Sequence, residues 1–140
     1  IVAFNDILPQ VNQVETNPFC QQIKAQENMI KRNVQMEAWA PFGEGRNNMF
    51  TNDTLKEIGK KYHKSVSQII LRWLMERNIV ALAKSTHIER MKENFEIFDF
   101  KLSEKDLKKI KALDINKSLF FNHQTPETVD MFVNMISNRK

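Results

Sequence analysis

Ile79-Val-Ala-Leu-Ala-Lys-Ser-Thr-His-Ile-Glu-Arg-Met-Lys-Glu-Asn94 is the stretch on which the reading of this chain turns. The run from Ile79 to Ala83 has the continuous apolar composition of a strand buried on both sides, and Lys84-Ser85 leads it straight into a helix start. The N–H groups and positive dipole of a first helical turn favour a phosphate, and Lys84 at the strand end with Arg90 one turn inside the helix would add two charge-assisted donors. On spacing alone a second reading stands beside this one, a capped and solvated helix start in which Thr86 and Glu89 form a capping box.

Outward from this stretch the chain alternates strands and helices. Residues 9–15, 34–40 and 79–84 are the predicted strands. Val34, Met36, Ala38 and Ala40 fall on one face of the second, and Gln35, Glu37 and Trp39 on the other. Asn17 as N-cap with Pro18 at the first helical position predicts a helix to about Arg32, with Ile23, Met29 and Ile30 turned inward. Pro41 to Phe50 holds two of the three glycines and two consecutive asparagines, and is predicted to be a functional loop. Leu55, Ile58 and Tyr62 mark the next helix, and Ser65 to Gln68 has capping-box spacing. Val66, Ile69, Ile70, Trp73 and Leu74 then form a clean core stripe. Ser103 caps a further helix to about Leu113, and Thr125-Pro126 starts a last one carrying Val129, Phe132, Val133 and Ile136. Strands separated by helices predict an α/β fold with a parallel sheet.

Composition narrows the function. A chain of 140 residues with 41% hydrophobic residues suits a globular domain. The net charge of +4 is distributed over solvated helix faces such as Lys105 to Lys111, with no aromatic stacking platform, so no nucleic-acid partner is expected. The single cysteine, Cys20, cannot form an internal disulfide, which points to a reducing, cytoplasmic setting. It lies near an expected helix start, where either a lowered thiol pKa or an inert, packed thiol is open. No apolar run reaches the roughly 20 residues of a membrane span, so no membrane partner is expected. His63, His87 and His123 are scattered, and no metal site is expected.

The segment Lys84 to Asn94 resembles the cofactor-phosphate motif of the aldo-keto reductase family, and four other blocks match in the family's order. Pro9-Gln-Val-Asn-Gln-Val-Glu15 resembles its sixth barrel strand, and Glu37-Ala-Trp-Ala-Pro-Phe-Gly-Glu-Gly-Arg46 the end of its seventh strand with the following loop. Gln68-Ile-Ile-Leu-Arg-Trp73 resembles its seventh helix, and Asn94-Phe-Glu-Ile-Phe-Asp-Phe-Lys-Leu-Ser103 follows the phosphate motif as in the family. The resemblance is to the bacterial 2,5-diketo-gluconate reductase-like members. It implies the C-terminal part of a (β/α)8 barrel, an incomplete barrel of about three βα units, with residues 115–140 covering the barrel mouth.

The resemblance also implies a cofactor, NADP, and its contacts. Lys84 and Arg90 would hold the 2′-phosphate with Ser85 adding a hydroxyl, while Glu93 and Asn94 would meet the adenine end. Trp39 would stack on the nicotinamide, and Gln13, with Asn12 beside it, would bind the carboxamide. Ala40, Phe42 and Gly43 lie in the loop that approaches the pyrophosphate. Phe120 and Phe121 would line the substrate pocket or pack against the barrel wall. Two departures stand out: Ala83 replaces the proline that commonly precedes the Lys-Ser pair, and Glu44 places a negative charge in the pyrophosphate loop.

The family reduces carbonyls with a Tyr, Lys, Asp and His from the first half of its barrel. Tyr62, the only tyrosine, lies in a Lys-rich helical segment and is expected to pack on an amphipathic face. The chain is therefore read as the C-terminal part of a longer protein, with no catalytic residue of its own. Its parent is expected to be a monomeric, NADPH-dependent reductase of a small aldehyde or ketone. The isolated chain is expected to be inactive and, with open sheet edges, prone to self-association. The alternative is a regulatory protein of the same fold that senses the nucleotide without turnover.

Overall fold

The computed structural model describes residues 6–122 and 125–138. Its centre is a parallel sheet of β1 (Val11–Glu15), β2 (Gln35–Trp39) and β3 (Val80–Ala81), in the order β1-β2-β3. Glu15 pairs with Trp39 and Ala38 with Ala81. The sheet is open rather than closed into a barrel. Helices α1 (Ile23–Ile30), α2 (Asp53–Tyr62), α3 (Val66–Glu76), α4 (Ile88–Phe95), α5 (Glu104–Lys111) and α6 (Pro126–Ser137) follow in chain order. No helix among the described residues is long and apolar enough to cross a membrane.

The α3 stripe forms the core, as its periodicity predicts. Ile69, Ile70, Trp73 and Leu74 are buried with Met36 and Ala38 of β2 and Leu55 and Ile58 of α2. Each fully buried aliphatic side chain of this kind contributes about 1.5–3 kcal/mol. The Ser65–Gln68 capping box is formed from both sides, and Ser103 Oγ accepts from Asp106 N to start α5. Pro126 stands in the first turn of α6, whose Val129, Val133 and Ile136 are all exposed.

Three expectations are corrected. Residues 17–22 do not begin a helix: Asn17 Oδ1 accepts from both Phe19 N and Cys20 N at 3.0 Å, and Asn17 and Cys20 exchange backbone hydrogen bonds at 3.1 Å. The asparagine thus closes a turn instead of capping, and α1 starts only at Ile23, after Gln22 in the left-handed region (φ 54). Ile30, expected inside, is 67% exposed, leaving Met29 to the core. The expected strand 79–84 shortens to Val80–Ala81, and only Ile79 of the run is buried. Val80 and Leu82 are exposed because alternation turns both to the face of Glu37 and Trp39, which is left open to solvent beside β3, whereas Ile79 turns to the packed face.

Burial pushes the Cys20 thiol up to about 11, with the negative charges of Glu15 and Asp114 adding to the effect, so the open question at this position resolves to a packed, unreactive thiol.

Candidate functional site

β1, β2 and β3 run parallel, so their C-terminal ends share one side of the sheet, where α/β folds bind ligands. A groove of 710 Å³ opens there, within the range of small-molecule sites. Trp39, Ala40 and Phe42 line it from the end of β2 and the following loop, and Lys84 and Ser85 from the chain after β3. Arg90, Glu93 and Asn94 line it from α4. Most of the predicted cofactor residues are therefore brought to one cavity. Neither Lys84 nor Arg90 enters an ion pair or a side-chain hydrogen bond among the described residues, which leaves both cations available to an anion.

The start of α4 differs from the predicted capping box. Its N-cap is His87, with no side-chain cap, and it is Ser85 Oγ that accepts from His87 N at 3.1 Å. Thr86 and Glu89 make no reciprocal bonds, since the helix begins one residue later than that pairing needs. His87 is exposed and lines the groove.

Gln13, Asn12 and Gly43 do not line the groove. Strand alternation puts Gln13 on the same face as Trp39, its amide 3.4 Å from Glu37 Oε2, and sends Asn12 to the opposite face beside Met36. Gly43 (φ 54) is buried under the C-terminal segment. A Cβ there would lie 2.8 Å from Leu119 Cδ1, and its N–H is engaged by Ala40 O at 2.9 Å, so this amide is not offered to a phosphate. Glu44 does line the groove, with Arg46 as its partner at 3.6 Å.

Phe120 leans against Trp39, ring centroids 4.8 Å apart, and Phe121 packs edge-on against Phe132 of α6. Two side chains that sequence reasoning missed fasten this segment. Buried Glu15 accepts from Ser118 Oγ at 2.5 Å and from Leu119 N at 2.9 Å. Arg46 donates to Leu119 O at 3.0 Å and stacks 4.1 Å from the Phe120 ring. The available signal was strand alternation, which puts Glu15 on the face of Trp39 at a strand's C-terminal end; nothing local marks Arg46.

Tyr62 is not part of the groove. Its hydroxyl donates to Asp106 Oδ2 at 2.7 Å and accepts from Ser103 N at 2.9 Å, at the junction of α2 and α5. No group of three or more His, Cys, Asp or Glu side chains among the described residues could hold a metal, and His123 lies outside those residues.

The model of the Aldo/keto reductase family matches residues 4–115. The chain is 43% identical over 116 residues to aldose reductase C of Dictyostelium discoideum, which covers 83% of this chain and 36% of that protein. The crystal structure of an aldo-keto reductase enzyme from a Medee basin deep-sea metagenome library superposes with a TM-score of 0.84 at 38% identity, over 89% of this chain and 46% of that one. A Bombyx mori aldo-keto reductase crystallised in complex with NADP superposes with a TM-score of 0.76 at 30% identity, over 86% of this chain and 42% of that one. The chain thus spans less than half the length of each relative. With the family's pattern matched over residues 4–115 and the fold of a solved member reproduced at a TM-score of 0.84, the chain belongs to the aldo/keto reductase family.

Proposed function

We propose that the complete protein carrying this chain is an NADPH-dependent reductase that converts a small aldehyde or ketone to an alcohol. This chain supplies most of the cofactor's grip, and the Tyr, Lys, Asp and His that perform the reduction belong to residues outside it. The observation that carries the reading is the single groove into which Trp39, Lys84, Arg90 and the first turn of α4 all open, with neither cation paired. That donor set fits the cofactor: a dianionic phosphate beside two cations and a helix N-terminus is well stabilised, whereas a ribose hydroxyl gains little. When bound, NADPH supplies the hydride.

In this reading Lys84 and Arg90 hold the 2′-phosphate, and Ser85 turns its hydroxyl from His87 to join them. Glu93 and Asn94 meet the adenine end. Trp39 offers an indole face to the nicotinamide, and Gln13, on the same face of the sheet, orients the carboxamide, with Asn12 contributing through its backbone at most. Ala40 and Phe42 approach the pyrophosphate, while Gly43 serves by letting Leu119 pack closely. Phe120 and Phe121 border the substrate. The packed, unpaired Cys20 suits a cytoplasmic setting.

The test is carbonyl-dependent NADPH oxidation by the complete protein and by this chain alone, across a panel of small aldehydes and ketones. The complete protein is expected to oxidise NADPH and the chain alone is not, because hydride transfer needs a proton donor beside the developing alkoxide. NADPH binding without turnover by the complete protein would instead support the nucleotide-sensing alternative.

A further inference from the structure

We infer that Gln68, a residue of α3 outside the groove, is a positioning residue for the proposed phosphate site. It fixes α4, the helix that carries Arg90, Glu93 and Asn94. This inference rests on the cofactor reading above and adds to it the device that sets the spacing between the two cations.

Helix α4 has no buried residue, and Ile88, Met91 and Phe95 are 63%, 48% and 75% exposed. Apolar packing therefore does little to hold it. Its C-terminal end is held by polar contacts instead. Gln68 Nε2 donates to Glu93 O and to Glu96 O, both at 3.0 Å, and Lys64 Nζ donates to the same Glu96 O at 3.0 Å. Gln68 is itself 5% exposed, and its Oε1 accepts from Ser65 N at 3.0 Å, so the amide is saturated from both ends and cannot drift. One side chain thus closes the capping box of α3 and grips the last carbonyls of α4.

The geometry gives this grip a functional consequence. Lys84 follows β3 and does not belong to α4, whereas Arg90 lies within α4, one turn before the gripped carbonyl of Glu93. A helix moves as a stiff rod, so releasing its C-terminal end displaces Arg90 and Asn94 relative to Lys84. A 2′-phosphate that needs both cations at once senses that displacement most, and a cofactor without the phosphate senses it only through the adenine end.

Gln68→Glu separates the two halves of the amide's work. An ionised carboxylate still accepts from Ser65 N but cannot donate to Glu93 O or Glu96 O. In the complete protein, Gln68→Glu is expected to weaken NADPH about tenfold while NADH changes less than about twofold. Backbone amides of residues 88–96 should exchange hydrogen faster. Gln68→Leu should shift cofactor preference in the same way and lower thermal stability further, because the α3 cap is lost as well. Equal weakening of both cofactors by Gln68→Glu would reduce the residue to a purely structural role, and unaltered NADPH binding with unaltered exchange would overturn the inference outright. Faster exchange at α4 in a protein whose wild type shows no preference for NADPH would keep the tether and overturn the cofactor reading instead.

Discussion

Replacing Asp106 by Asn should make the protein less stable at neutral pH and make little difference in strong acid. Asp106 is 3% exposed, yet Lys61 Nζ, Ser103 Oγ and Tyr62 OH all donate to its Oδ2, at 2.5, 2.5 and 2.7 Å. Burial alone would raise its carboxyl pKa. The hydrogen bonds from Lys61, Ser103 and Tyr62 outweigh burial and hold it at about 2, against an ordinary value of 3.8. A depressed carboxylate pKa contributes stability that is fully present above the unfolded value, near pH 4, and is lost as pH falls through about 2. At about 1.4 kcal/mol per unit, the shift corresponds to about 2 kcal/mol. Asn presents one acceptor where three donors converge, so Asp106→Asn should cost about 2–4 kcal/mol at pH 7. The assay is urea unfolding of wild type and variant at pH 7 and at the lowest pH where the fold survives. The gap should narrow as acid protonates the wild-type carboxylate; a gap independent of pH would refute this account of the node. Tyr62→Phe belongs to the same experiment. It should cost about 1–2 kcal/mol and leave carbonyl reduction by the complete protein unchanged, since this hydroxyl is engaged at the junction of α2 and α5 and does not line the groove.

Binding of NADPH to the complete protein should quench the fluorescence of Trp39, which lines the groove, and not that of Trp73, which is 3% exposed in the core; a Trp39→Phe variant that retains the full quench would remove the stacking role. The isolated 140-residue chain should form oligomers or aggregates by light scattering, because β1 and β3 each leave an open edge and α4 exposes apolar side chains. A monodisperse monomer would contradict that expectation.

What the sequence made legible was whatever depends on local period and capping. The stripe from Val66 to Leu74 and the Ser65 and Ser103 caps could be read because burial follows the helical repeat and because each cap lies three residues from its partner. Asn17-Pro18 misled because the same asparagine that can cap a helix can instead accept two backbone N–H groups in a turn, and Gln21 stabilises that turn by reaching Ile110 O across the fold. The run from Ile79 to Ala83 was read as buried on both sides because composition carries no information about whether both faces of a strand find cover. At the groove, contiguous motifs placed Lys84, Ser85, Arg90 and Asn94 together. The long-range contacts of Arg46 to Leu119 and of Gln68 to Glu93 and Glu96 left no trace in spacing. Gln68 was legible as a cap and illegible as a tether.

The central claim is that the groove at the strand ends holds a 2′-phosphorylated nicotinamide cofactor, and equilibrium binding of NADPH and NADH to the complete protein, with and without Arg90→Ala, tests it most directly. Wild type should prefer NADPH. The substitution should remove one charge-assisted contact of roughly 1.5–3 kcal/mol from NADPH, on the order of tenfold to a hundredfold in affinity, and leave NADH almost unaffected. An equal loss for both cofactors, or no loss for either, would contradict the assignment of Arg90 and Lys84 to the phosphate.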